Sequence, residues 1–206
     1  DNTSFFCILQ ILSYIIEGMY LLIGLGNPGI EYEKTRHNAG RIALSFFQKK
    51  NGLPTFSENK KFLSLISEGK IRKEKVVLAL PETMMNNSGK AVGALAAFYK
   101  VKPEKVIVLN DDSDIIFGKM KISFAKSSSG HRGVDSAKRA LKTEKFWRIR
   151  IGIQPSAKKH IPAMDLVLKT FKPAEAGIFK KTLKHVNDAL ITFVEESPDR
   201  AMSEFN

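Results

Sequence analysis

The first constraint on this chain is an apolar run closed by a glycine-rich turn. Tyr20 to Leu25 is followed by Gly26-Asn27-Pro28-Gly29. A short apolar run that stops at such a turn reads as a buried strand. Helical spacing begins only past His37, where Ile42, Leu44, Phe46 and Phe47 recur between Asn38 and Lys50. The same alternation continues. Phe62 to Ser67 and Lys75 to Leu80 read as strands, with Glu68-Gly69 as the hairpin signal between them. Asn87-Ser88-Gly89 offers cap residues for a helix through Ala91, Val92, Leu95, Ala96 and Tyr99. Lys105 to Leu109 is a strand ending in the polar Asn110-Asp111-Asp112-Ser113-Asp114, and Lys119 to Ala125 is another. Ser127 to Gly130 is a loop, Val134 to Leu141 a helix, and Trp147 to Ile153 a strand with Arg148 and Arg150 on one face. A last helix covers Ala174 to Glu195. Alternating strands and helices with a hairpin predict an α/β fold: a single domain with a mixed, twisted sheet flanked by helices on both faces. No internal repeat or linker interrupts it.

The chain has 206 residues, 43% of them hydrophobic, which is enough for one domain with a substantial core. Its formal net charge is +12. The basic residues are spread along the sequence, as at Lys49, Lys50, Lys60, Lys61, Lys119, Lys121, Lys138 and Arg139, which suits a folded basic surface better than a disordered arm. Such a surface favours a polyanionic partner, because cations set against phosphates release counterions. A single cysteine, Cys7, allows no internal disulfide and no thiolate metal cluster, which points to a reducing, cytoplasmic setting. His37, His131, His160 and His185 have no close ligand pairing in the sequence, so no metal site is expected.

Ser4 to Ile16 is apolar but shorter than the roughly 20 residues that span a bilayer, and no signal-peptide pattern frames it. The domain is expected to start near Met19, with residues 1–18 as an extension. A membrane-touching or partner-binding helix is the other reading of that stretch, but no stable membrane association is expected.

Gly24-Leu25-Gly26-Asn27-Pro28-Gly29 matches the G-x-G-x-x-G pattern of dinucleotide binding. Its surroundings do not fit: Pro28-Gly29 opens no helix, and no acidic residue ends a second strand about 20 residues on, where the ribose partner belongs. Three other polar side chains instead stand just past apolar strands: Asn27, Asn86 in Met85-Asn86, and Asp111. Ligands of α/β sheets collect at the carboxyl ends of strands. His37 follows Asn27 across one loop and can join them. A histidine beside an aspartate is a base with an orienting partner, and asparagines hold a carbonyl or a water without competing as bases. No serine or cysteine sits in a nucleophile elbow, so water is the expected nucleophile. The alternative, that His37 and Asp111 only cap their own loops, stays open on spacing alone.

The segments LIGLGNPGIEYEKTRHNAG, PETMMNNSGKAV, the NDDSD loop and SGHRG, in that order, resemble the bacterial peptidyl-tRNA hydrolase family. FWRIRIGI and DLVLKTFKPAE are similar to its downstream strand and lid-like region, so the match runs from about Met19 to Glu195. The resemblance implies a monomeric, cofactor- and metal-free esterase. Such an enzyme cleaves the ester between a peptide and the 3′ ribose of tRNA, returning tRNA from aborted translation. It further implies His37 as the base that activates water, Asp111 as its orienting partner, and Asn27 and Asn86 as positioning amides. Tyr32 and Met85 would line the cleft, and Lys121 and Arg150 would grip the tRNA 5′ phosphate. The chain departs from the family at three places. Arg132 stands where an asparagine contacts the peptide backbone, Asp135 where a lysine faces RNA, and Gln154 within a glycine-rich stretch. Arginine is donor-only and always charged, so Arg132 cannot copy the amide but could grip phosphate. A catalytically weakened tRNA-binding relative is the alternative these departures raise.

Overall fold

The computed structural model describes residues 19–155 and 160–206. The apolar run Ser4 to Ile16 and part of the segment between Pro155 and Pro162 lie outside the described residues. Among those described, seven strands form one sheet: β1 (Met19–Gly24), β2 (Ser57–Asn59), β3 (Ser64–Ile71), β4 (Glu74–Pro81), β5 (Val106–Ile116), β6 (Met120–Phe124) and β7 (Trp147–Gln154). Their order across the sheet is β2-β3-β4-β1-β5-β7-β6. The inner strands β4, β1, β5 and β7 are parallel, while β2, β3 and β6 join antiparallel at the edges. The predicted α/β domain with a mixed sheet is the observed one.

Alternation along the inner strands builds a core on each face. Tyr20 and Leu22 of β1, Leu78 of β4 and Ile107 and Leu109 of β5 pack with Phe47 of α1 (Ala39–Lys50). Leu190 and Phe193 of α5 (Ala176–Glu195) join the same cluster. Leu21, Ile23, Val77 and Val108 point the other way, onto Val92 and Leu95 of α2 (Ser88–Phe98) and Val134 and Ala137 of α3 (Arg132–Leu141). Each large side chain so buried contributes about 1.5–3 kcal/mol. The close fit of α1 on β5 depends on Gly40: a Cβ there would lie 2.1 Å from the Leu109 carbonyl oxygen.

This topology places the site. The chain leaves β1 toward the α1 face, whereas β4 connects through α2 on the opposite face to β5, on the far side of β1. Adjacent strand ends therefore send their loops to opposite faces, and a crevice opens at the carboxyl ends of β1, β4 and β5.

Three local expectations change. The hairpin turns at Arg72-Lys73, not Glu68-Gly69, because β3 continues paired through Gly69↔Val76 to Ile71↔Glu74. Gly69 marks instead a close contact, since a Cβ there would meet Leu53 at 2.7 Å. Asn110 to Asp114 is not a loop: β5 runs through it to Ile116, held by β7 with Asn110 opposite Arg150 and Asp111 opposite Ile151. At α2 the Asn87 side chain makes no cap; Ser88 Oγ donates to the Met85 carbonyl, and a 3₁₀ turn, Met85–Asn87, leads in. Strand β2 and the helices α4 (Ala163–Leu166) and α6 (Pro198–Phe205) carry too few periodic residues to be read from the sequence.

Candidate active site

At the crevice lies a cleft of about 400 Å³. It is lined by Asn27, Tyr32, His37, Met85, Asn86 and Asp111, all of which were expected there from the sequence. His37 sits in a 3₁₀ turn, Arg36–Asn38, directly ahead of α1. Its backbone N–H donates to the Val167 carbonyl at 2.8 Å, tying it to the chain just past α4. Its Nδ1 lies 2.9 Å from Asp111 Oδ1.

A second histidine, which the sequence spacing does not pair with the first, joins it here. His131 Nε2 lies 2.8 Å from the same Asp111 oxygen, and the two imidazole centroids are 5.1 Å apart. Sequence spacing cannot reveal this pair, since 94 positions separate the two residues and only the sheet brings β5 between them. The partners set the tautomers. His131 Nδ1 accepts from the Val134 backbone N–H at 3.3 Å, capping α3, so its proton resides on Nε2 and is donated to Asp111. His37 donates Nδ1–H to the carboxylate, which leaves its Nε2 lone pair for the cleft. Burial by itself would push the Asp111 carboxyl up. The charges and hydrogen bonds of His131 and His37 outweigh that effect and hold it well below the usual carboxylate range.

The ligating atoms of His37, Asp111 and His131 lie within 4.8 Å of one another, a donor set of the kind transition metals use. The two O···N separations of 2.8 and 2.9 Å are hydrogen-bond lengths. Two ligands each about 2.05 Å from one tetrahedral zinc would stand roughly 3.3 Å apart. The cluster fits proton-sharing better than metal binding.

Asn27 is buried and fixed from several sides. Its N–H donates to Asn38 Oδ1 at 2.8 Å, its carbonyl accepts from Asn38 Nδ2 at 2.9 Å, and its own Oδ1 accepts the Met85 N–H at 2.8 Å. Asn86 is exposed on the next turn. Arg41 of α1 ties the turn after β4 to the one after β1: its Nη1 donates to the Pro81 carbonyl at 2.8 Å, its Nη2 pairs with Glu82, and its N–H donates to Leu25. The far wall is apolar. Met164 and Leu168, 82% and 59% exposed, line the cleft from α4 and the turn after it.

Lys121 and Arg150 stand opposite each other across β6 and β7. Arg150 also donates Nε–H to Asp112 Oδ2 at 2.7 Å. Arg148, on the same face of β7, is buried and donates to the Ser127 carbonyl at 2.8 Å. Burial, then the charge of Arg150, pulls its guanidinium down to about 10, against the opposing charges of Asp112 and Asp135. Asp135 therefore acts on Arg148 as well as on the helix surface. Arg132 lines the cleft as the first residue of α3. Gln154 does more than interrupt a glycine-rich stretch: its Nε2 donates to the Ser113 carbonyl at 2.9 Å and its Oε1 accepts the Ile161 N–H at 3.1 Å. This buried amide anchors the chain leading into α4.

Three contributors had no clear sequence signal: Asn38, His131 and the Arg36–Glu175 ion pair. Arg36 is buried with its guanidinium against the rings of Phe117 and Phe171, and both Glu175 oxygens lie within 2.7 Å of its Nη2. For Asn38 and His131 the only hint was their place inside the quoted motifs, one directly after His37 and the other within SGHRG.

Comparison with known proteins agrees with this geometry. The profile of the family described as peptidyl-tRNA hydrolase matches residues 21–206. A peptidyl-tRNA hydrolase from Thermoanaerobacter sp. (strain X514) is 40% identical over 188 residues, covering 91% of this chain and 100% of the relative. One from Aquifex aeolicus is 40% identical over 186 residues, covering 90% and 95%. A crystal structure of the peptidyl-tRNA hydrolase from Acinetobacter baumannii superimposes with a TM-score of 0.83 at 30% identity, covering 92% of this chain and 95% of that one. The chain belongs to the peptidyl-tRNA hydrolase family.

Proposed function

We propose that this chain hydrolyses peptidyl-tRNA at the ester between the peptide and the 3′ ribose, with residues 19–206 as one catalytic domain and His37 as the general base. The observation that carries the reading is the hydrogen bond between His37 Nδ1 and the buried Asp111, which leaves Nε2 as the ring nitrogen available to take a proton at the cleft. A water held there gives its proton to Nε2 as its oxygen bonds to the ester carbonyl carbon. The Asp111 carboxylate stabilises the imidazolium that forms. When the tetrahedral intermediate collapses, the C–O bond to the ribose breaks, and the departing oxygen takes the proton back from His37. Asn27 and Asn86 supply amides that orient the water and the carbonyl. Tyr32 and Met85, with Met164 and Leu168 opposite, suit the apolar parts of the peptide and the terminal nucleoside. Lys121 and Arg150 take the tRNA 5′ phosphate, and Arg132 adds a second cation at the cleft itself. The net charge of +12 suits such a polyanion.

The test is hydrolysis of an N-blocked aminoacyl-tRNA by wild type, His37→Ala and Arg132→Asn. His37→Ala is expected to lose at least about a hundredfold in turnover, the low end for a general base, with tRNA affinity kept. Wild-type turnover in that variant refutes the base. The position of Arg132 favours one second reading, a tRNA-binding relative with weakened catalysis. Single-turnover rates separate the two: tight tRNA binding without ester cleavage, restored by Arg132→Asn, supports the second.

A further inference from the structure

Asn38 is buried at 1% exposure, directly after His37, and both ends of its amide are committed to the backbone of Asn27. The chemistry of the partners fixes its orientation. Asn27 N–H can only donate, so it faces Asn38 oxygen; the Asn27 carbonyl can only accept, so it faces Asn38 nitrogen. The same logic fixes Asn27. Met85 N–H can only donate, so Asn27 turns its oxygen to Met85 at 2.8 Å. The two amides together therefore join three separate segments: the turn after β1, the 3₁₀ turn carrying His37, and the 3₁₀ turn carrying Met85 and Asn86. The room for it comes from Gly26, where a Cβ would lie 2.9 Å from Asn38 Oδ1.

The commitment of Asn27 Oδ1 has a chemical consequence. What remains of the Asn27 side chain at the cleft is its NH₂, which makes no hydrogen bond to any described residue. We infer that Asn38 is a positioning residue: it holds Asn27 so that this side chain presents hydrogen-bond donors only. The substrate atom Asn27 meets is thus an acceptor, such as the ester carbonyl oxygen. With its oxygen turned to Met85, Asn27 meets the cleft as a donor and is not the hydrogen-bond acceptor that orients the attacking water. Asn38 itself touches no substrate, since its side chain is buried and both ends of its amide are bonded to Asn27.

The inference rests on the hydrolase reading above and is tested beside it. Wild type, Asn38→Ala, Asn27→Ala, Asn27→Asp, the Asn27→Ala/Asn38→Ala double variant and His37→Ala are compared for kcat and KM on an N-blocked aminoacyl-tRNA. Circular dichroism and Tm report the fold. Asn38→Ala is expected to lower kcat at least tenfold with KM changed less than threefold, a split that general loosening of the fold does not produce. The double variant is expected to be no slower than the slower single variant, because both remove one arrangement. Asn27→Asp keeps the oxygen for Met85 but replaces the donor with an acceptor, so it is expected to be as slow as Asn27→Ala while staying folded. If Asn38→Ala does not fold, Asn38→Asp takes its place: it keeps the acceptor for Asn27 N–H and loses the donor to the Asn27 carbonyl. Wild-type kcat in a folded Asn38 variant, losses that multiply in the double variant, or an active Asn27→Asp would each overturn the inference. No cleavage by the wild type would instead overturn the hydrolase reading, and an active His37→Ala would overturn only its base, so these failures are distinguishable from that of the inference.

Discussion

Replacing Asp111 by asparagine isolates the charge of the buried carboxylate, because the new side chain has nearly the same shape. Asp111 Oδ1 accepts from His37 at 2.9 Å and from His131 at 2.8 Å. In Asp111→Asn the amide must keep its oxygen at that position, since two N–H donors converge on it. The neutral hydrogen bonds therefore survive, and only the charge is lost. An imidazolium and a carboxylate whose charge centres are about 4 Å apart attract by about 4 kcal/mol at an effective dielectric of about 20. A retained neutral hydrogen bond gives back about 1 kcal/mol. The transition state, in which His37 carries the water's proton, is then less stabilised by about 3 kcal/mol, or roughly a hundredfold in kcat. The tRNA affinity should stay near wild type, whereas Tm should fall, because the interactions that hold the Asp111 carboxyl low also stabilise the folded state. The assay is single-turnover hydrolysis of an N-blocked aminoacyl-tRNA, with tRNA binding followed by fluorescence anisotropy. A folded Asp111→Asn enzyme within threefold of the wild-type rate refutes the idea that this carboxylate stabilises a charged His37.

Glu175→Gln leaves the buried Arg36 without its counter-charge and should cost about 1.5–3 kcal/mol in urea unfolding. The Glu175 carboxyl is pushed up by burial but, on balance, held below its usual range by Arg36 and the Lys172 N–H. Its contribution is therefore full above the unfolded-state pKa of about 4.3 and fades as pH falls through the lower folded value. The stability gap between wild type and Glu175→Gln should narrow on acidification in that range; a gap constant with pH argues against the ion pair. Gly40→Ala places a methyl against the Leu109 carbonyl, backbone that cannot step aside, and should destabilise by about 3 kcal/mol; an unchanged Tm contradicts the close approach of α1 to β5. Lys121→Ala should weaken tRNA binding and lower the slope of log affinity against log salt by about one, while hydrolysis of a short ester lacking the tRNA body stays unchanged. An unchanged salt slope removes Lys121 from the phosphate grip.

Most of the architecture was legible in the sequence, because the inner strands bury both faces and announce themselves as short apolar runs closed by turn residues. Met19–Gly24 and Trp147–Gln154 were found to within a residue or so. The errors fell where a partner strand overrode local preference. Asn110 to Asp114 looks like a loop by composition, yet β7 pairs with it and keeps it extended. Gly69 looks like a turn, yet its missing side chain makes room for Leu53 inside a strand.

The sequence by itself singled out Asn27, His37, Asn86 and Asp111 as candidates, because they stand close behind apolar runs and within recognisable motifs. Tertiary structure alone decided how those groups share their protons. The hydrogen bonds that join His37 and His131 on one oxygen of Asp111, and Asn38 to both sides of Asn27, link residues between 11 and 74 positions apart. A hydrogen bond depends on distances of tenths of an ångström, which spacing along a chain does not encode and the packing of the sheet and its helices does.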